Sequence, residues 1–126
     1  MFKQLSPNIK GSITRSISQT FERYMKEIEW DEKRFDITHF VFMWESYIKE
    51  KTLWYKKLPE YVINSPQFHA EVANKINEVI ERMLTEPATE EQIQRIEALQ
   101  KGKKKKYTYS CKAEAQFVED LLKSNQ

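Results

Sequence analysis

ITHFVFMWESYIKEKTLWYKK, residues 37 to 57, decides the fold class, because its centre suits either a strand or a helix. Residues 40 to 44 form a continuous apolar run, which short buried strands also contain. Over the whole stretch, however, apolar residues recur at steps of three, four or seven, in two stripes. The stripes are Ile37, Val41, Trp44, Ile48 and Tyr55, and Phe40, Met43, Tyr47 and Trp54. A helix that is apolar on most sides is a central, buried one, so we predict a helix here, with a strand over residues 37 to 44 as the alternative.

Helical spacing also precedes this stretch. Five apolar residues recur at steps of three and four between Ile13 and Ile28, which predicts an amphipathic helix with Ser12 as its cap. The charged segment WDEKRFD, residues 30 to 36, is then a connection. Asp36 or Thr38 can cap the helix that follows it.

Downstream, prolines divide the chain. Pro59 ends the central helix, and LPEYVIN, residues 58 to 64, is predicted to be an extended connector or a single helical turn. Ser65 and Pro66 match a cap followed by proline at the first helical position. The regular apolar spacing from Phe68 to Met83 predicts a long helix after them.

The last third combines two short helical patterns with a lysine-rich connection. Thr89 and Gln92 form a capping box, and Gly102 stands where a left-handed residue ends a helix. Ser110 is the predicted cap of a final helix, whose apolar residues are Phe117, Val118, Leu121 and Leu122.

These patterns predict an all-α protein, a compact bundle of about five helices with a C-terminal helical hairpin around a lysine loop. With 126 residues, 2 glycines and 4 prolines, the chain suits a single helical domain over residues 1 to 126. Residues 88 to 126 are a possible hairpin subdomain.

The composition argues against a disulfide-bonded secreted protein and against a membrane-spanning protein. The lone Cys111 cannot form an internal disulfide, and no apolar run approaches the ~20 residues that a membrane span needs. We therefore expect a cytoplasmic protein of a bacterium or its phage that does not bind a membrane. The acid-free, serine-rich first 20 residues offer an alternative, because a mitochondrial transit peptide has that composition.

Residues suited to catalysis are few. His39 and His69 are the only histidines and lie on different predicted helices, and no phosphate-binding glycine motif is present. Asp36 and His39 have the spacing of half a metal site, but no matching second half accompanies them. Cys111 has no paired histidine. We therefore predict that the chain is not an enzyme and uses no metal or cofactor.

An aromatic belt suits either a core or a binding surface. It holds eight aromatic residues between Phe35 and Tyr61, more than one helix face can bury. Trp and Tyr anchor protein interfaces and also stack nucleobases. The end of the central helix is its predicted exposed part and a possible interface, formed by Trp54, Tyr55, Lys56 and Lys57.

The segment KGKKKKYTYSCK, residues 101 to 112, is the candidate nucleic-acid site. Its six lysines have no acid among them, whereas four glutamates and one arginine occupy residues 85 to 100. Lysines can contact phosphates, and neighbouring tyrosines can stack bases. The predicted site residues are Lys101, Lys103, Lys104, Lys105, Lys106, Tyr107, Tyr109 and Lys112.

Residues 88 to 122 resemble a helical hairpin module. Thr89, Gln92, Ile96 and Leu99 match its pattern T-x-x-Q-x-x-x-I-x-x-L, and Lys112, Glu114 and Ala115 match K-x-E-A. An apolar pair, residues 121 and 122, ends the match. Such modules occur at the ends of phage and bacterial DNA-handling accessory proteins. The resemblance implies a role near DNA and assigns no catalytic residue.

Two functions therefore remain. The first is a small accessory protein that binds the phosphate backbone of DNA or RNA through the lysine loop. The second is a protein-interaction module, such as a phage- or mobile-element-encoded inhibitor or adaptor, that docks on an acidic protein surface or through the aromatic belt. A homodimer through residues 37 to 57 is compatible with both.

Overall fold

The computed structural model describes residues 5 to 104 and 106 to 124, and every regular element in them is helical. The all-α prediction is confirmed. The described residues form seven α-helices, more than the five predicted. They are α1 (Pro7–Glu27), α2 (Ile37–Lys51), α3 (Leu53–Lys57), α4 (Glu60–Ile63), α5 (Pro66–Thr85), α6 (Glu90–Gln100) and α7 (Lys112–Ser124), with one 3-10 turn at Glu32–Arg34.

The chain forms two compact units, Met1–Ile80 and Glu81–Gln126. The first contains α1 to α4 and most of α5. The second contains the end of α5, α6, the lysine loop and α7.

Helix α1 begins earlier than the sequence pattern predicts. Its cap is Ser6, whose hydroxyl accepts a hydrogen bond from the backbone N–H of Ile9, and Pro7 occupies the first turn. Ser12 lies inside the helix instead. The prediction followed the apolar stripe, which starts at Ile13, whereas a helix begins where a cap satisfies its first N–H groups.

Residues 37 to 44 are helical, as predicted, but the predicted helix over 37 to 57 is divided in two. Asp36 caps α2 by accepting from the backbone N–H of Thr38. Thr52 is extended, with φ −118° and ψ 141°, and separates α2 from α3. Its hydroxyl donates to the carbonyl oxygen of Ile48, which the Thr52 backbone N–H would take in a continuous helix.

Aromatic rings form much of the core of the first unit. Phe21 makes edge contacts with Trp30, Phe35 and Phe40, at centroid distances of 6.1, 6.2 and 6.1 Å. The Tyr24 hydroxyl accepts from the backbone N–H of Asp36 and donates to the carbonyl of Arg34. Phe21 and Tyr24 of α1 therefore hold the connection between α1 and α2 in place.

Helix α1 ends in a Schellman motif without glycine. The backbone N–H of Trp30 donates to the carbonyl of Met25, and that of Glu29 to Lys26. Glu29 and Trp30 both have φ of 56°, in the left-handed region that disfavours residues with a side chain.

Replacing Glu29 by glycine should therefore stabilise the first unit by about 0.5–1 kcal/mol, because glycine adopts this conformation without strain. All three tryptophans lie in that unit, so denaturant unfolding followed by tryptophan fluorescence measures the change. Glu29→Ala is the control, since alanine keeps the strain and removes the charge. Equal stabilisation by both variants would assign the gain to charge and contradict the strain.

The predicted boundaries around α4 and α5 are close to those observed. Residues 60 to 63 form a single helical turn, one of the two forms predicted for the connector. Helix α5 starts at Pro66, and the Ser65 hydroxyl accepts from the backbone N–H of Phe68. Its apolar residues, spaced as predicted, are buried: Phe68, Val72, Ile76, Val79 and Met83.

In the second unit, α6 and α7 pack against each other around a small apolar core. Thr89 and Gln92 make the complete reciprocal capping box. The buried core is Ile96, Ala115, Val118 and Leu122. Ser110 differs from its predicted role, because its hydroxyl donates to the carboxylate of Glu114 rather than accepting from a backbone N–H.

Candidate nucleic-acid interface

The lysine loop, residues 101 to 111, is anchored at the end of α6. Gly102 has φ of 80°, as the sequence pattern predicts, and the backbone N–H of Lys103 donates to the carbonyl of Gln100. The buried Gln100 side chain accepts from the backbone N–H of Tyr107 at 2.5 Å. One residue thus fixes both ends of the lysine-rich part of the loop.

The second half of the loop runs back along α6. Tyr107 lies at the C-terminal end of α6, whereas Lys112 lies at its N-terminal end. There the Gln92 amide donates to the carbonyl of Lys112, and the Lys112 backbone N–H donates to the carbonyl of Glu86. Five extended residues cover about 16 Å, which is also the length of an 11-residue helix.

The burial of the side chains alternates along this segment, residues 106 to 111. Tyr107 and Tyr109 are half-buried against the core of the second unit, and Cys111 is fully buried. Lys106, Thr108 and Ser110 point outward and are exposed. The two tyrosines, predicted to stack bases, therefore pack in the protein and hold the loop in place, with only part of each ring accessible.

The described loop lysines are exposed and unpaired. Lys101, Lys103, Lys104 and Lys106 form no ion pair with any carboxylate in residues 5–104 and 106–124. Lys105 lies outside the described residues. Lys112 is different, since its Nζ lies 3.7 Å from the Glu86 carboxylate, so only part of its charge is available to a ligand.

The predicted aromatic interface needs one correction. Trp54 is buried, with 8% of its surface exposed, and Tyr55 is half-buried, while Lys56 and Lys57 are exposed as predicted. Trp54 was predicted to be exposed because it stands near a helix end, but α3 turns its ring inward. The large apolar side chains that are exposed in this region are Ile37, Phe42, Leu53 and Tyr61.

The histidines and the cysteine each have a structural setting of their own. His39 is exposed and its ring packs on Tyr24, while Nε2 of His69 is bonded to the carbonyl of Ile63. Cys111 is buried in the other unit. Within the described ranges, no three His, Cys, Asp or Glu side chains are grouped so that they could hold a metal ion.

Comparison with protein-family models, with curated proteins and with solved structures finds no match to this chain. The resemblance to DNA-handling hairpin modules therefore stays a prediction from the sequence. No helix in the described part of the chain is long and apolar enough to cross a membrane.

Proposed function

We propose that this chain is a non-enzymatic cytoplasmic accessory protein that binds the phosphate backbone of nucleic acid through its lysine loop. The observation that carries the proposal is the set of exposed lysines without carboxylate partners, Lys101, Lys103, Lys104 and Lys106. Lys105 extends the same run in the sequence.

The anchoring of the loop supports this function. Gln100 and the two inward tyrosines hold the backbone close to α6, so the lysines do not need to order a free chain when they bind. Lysine ammonium groups contact phosphates as point charges without reading bases. We therefore propose binding with little sequence preference.

Salt dependence gives the quantitative test. Four phosphate contacts predict a slope of about −3.6 in log affinity against log salt for double-stranded DNA and about −2.8 for single strands. Raising salt from about 50 to 200 mM should therefore weaken duplex binding about a hundredfold. Fluorescence anisotropy of labelled single- and double-stranded DNA measures the affinity. Replacing Lys103 to Lys106 by glutamine should abolish micromolar binding and remove most of the slope.

A matched variant separates the loop from net charge. Lys26, Lys33, Arg34 and Lys49 are also exposed, and their replacement by glutamine removes the same number of positive charges elsewhere. This variant should keep most of the affinity. Equal losses in both variants would contradict a localised site, and no binding by the wild type at low salt would remove the function.

Protein–protein interaction is the second candidate, favoured by exposed apolar side chains in α2 to α4. Phe42, Leu53 and Tyr61 are 66%, 72% and 72% exposed, and Ile37 is 46% exposed. Large exposed apolar groups are enriched where proteins bind each other. Absence of DNA binding in the test above would favour this second function.

A further inference from the structure

A cationic cleft lies within the first unit, lined by α1, α2 and α3. Its volume is about 610 Å³, within the range of small-molecule sites. The twelve lining residues include three cations, Arg15, Lys51 and Lys57, and no carboxylate. No described carboxylate forms an ion pair with any of the three. Positive charge is therefore concentrated in a concave site, although the whole chain is nearly neutral.

Arg15 is held along the cleft wall. Its guanidinium donates to the Ser12 hydroxyl at 3.2 Å. It also lies across Gly11, where a Cβ atom would come within 3.3 Å of its Nη1. A glycine inside a helix costs stability, and here it leaves the space that the guanidinium occupies. The cation is thus partly positioned before any ligand binds.

Trp54 is a second unusual residue of the cleft. It lines the cleft and is 8% exposed, and its indole N–H is the only buried side-chain donor or acceptor among the described residues without a hydrogen-bond partner. Trp44, also buried, donates its indole N–H to Ser16 at 2.9 Å. Buried donors are almost always satisfied, but this N–H is covered by protein, so a ligand in the cleft would contact the rest of the indole ring unless the ring turned.

The lining chemistry indicates the ligand class. Three cations match a group with more than one negative charge, and a guanidinium is suited to the oxygens of a phosphate. The remaining wall includes Tyr47, Leu53 and Trp54, which can contact a planar or apolar body. We propose that this cleft binds a nucleotide, with its phosphates on Arg15, Lys51 and Lys57. The cleft and the lysine loop share no residue, and the proposal does not depend on the proposed function.

Indole N–H resonances provide a direct test. In a ¹⁵N-labelled sample the three tryptophans give three such signals, and Trp54→Phe identifies that of Trp54. Adenosine diphosphate should shift the Trp54 signal saturably, with a dissociation constant below about 1 mM. Adenosine without phosphate should bind about tenfold more weakly or worse. No shift of the Trp54 signal, or an equal affinity for adenosine, would overturn the proposal.

Two variants locate the binding. Arg15→Gln/Lys51→Gln should weaken adenosine diphosphate binding about tenfold or more. Arg34→Gln/Lys49→Gln removes two exposed charges outside the cleft and should leave it unchanged. Equal weakening by both pairs would contradict the site. Substitution of Lys103 to Lys106 should leave nucleotide binding intact. Absence of nucleotide binding by the cleft can therefore be distinguished from absence of DNA binding by the lysine loop.

The source of the nucleotide is a further outcome of the same titration. A 5′-phosphorylated oligonucleotide that displaces adenosine diphosphate would show that the cleft accepts the end of a strand. An oligonucleotide that leaves the Trp54 signal unchanged would show that it selects a free nucleotide. In either case the cleft binds the phosphate groups of its ligand.

Discussion

Replacing Phe40 by alanine is expected to lower the free energy of unfolding of the first unit by about 3–5 kcal/mol. Phe40 is fully buried and contacts the rings of Phe21, Tyr24 and Phe35, at centroid distances of 6.1, 6.3 and 6.5 Å. Alanine would leave a cavity among rings that cannot all move inward. Unfolding followed by tryptophan fluorescence reports on this unit, because all three tryptophans belong to it.

Phe42 offers a matched control on the same helix. It is 66% exposed, so Phe42→Ala should change stability by less than about 0.5 kcal/mol. In a strand, residues 40 and 42 would share a face and both would be buried or both exposed. Similar losses at the two positions would therefore contradict the helix as well as the packing.

Three local signals in the sequence predict the structure correctly. The capping box at Thr89, the left-handed Gly102 and the Ser65–Pro66 start depend on residues within a few positions of each other. The structure contains all three. Each is predictable because the partner of the critical group lies within one turn.

Features that depend on side-chain competition were harder to predict. Thr52 separates two helices although the apolar spacing continues across it, and its hydroxyl donates to the carbonyl of Ile48. Trp54 is buried by the turn that follows this break. Apolar periodicity does not contain either effect, and the threonine itself is no signal of a break, because Thr14 makes the same type of bond inside the continuous helix α1.

The lysine loop and the cationic cleft differ in the same respect, namely in how far the sequence alone indicates them. The lysine loop is contiguous, so the sequence alone indicates it, whereas Arg15, Lys51 and Lys57 line one cleft only because α1 packs beside α2 and α3. One available signal was missed in the loop. Residues 106 to 111, KYTYSC, alternate polar and less polar side chains, which is the period of an extended segment with one buried face. That alternation predicts inward tyrosines rather than tyrosines exposed to bases.

The largest expected polar effect is at Arg95, the partner of a buried carboxylate in the second unit. The Glu119 side chain is 3% exposed and pairs with Arg95, while Gln116 donates to it at 3.4 Å and Lys123 lies 4.0 Å away. Replacing Arg95 by methionine removes the closest charge. Complete loss of a buried partner costs about 3–5 kcal/mol, and the half-exposed Arg95 and the remaining contacts reduce the expected cost to about 2 kcal/mol.

Cys111 measures this loss without a global denaturant. It is the only cysteine, is fully buried, and lies in the same unit as the ion pair. Its reaction with a thiol reagent requires that unit to open. Arg95→Met should therefore raise the labelling rate by roughly thirtyfold, the equivalent of about 2 kcal/mol.

Two further variants decide whether charge is the cause. Arg82 is exposed in the same unit, so Arg82→Met should leave the labelling rate near that of the wild type. Arg95→Met combined with Glu119→Leu removes both charges and should restore slow labelling. Two apolar side chains then replace the ion pair, and no buried carboxylate is left without a partner. If Arg95→Met alone labels as slowly as the wild type, Gln116 and Lys123 suffice to hold the Glu119 carboxylate, and the Arg95 ion pair contributes no stability.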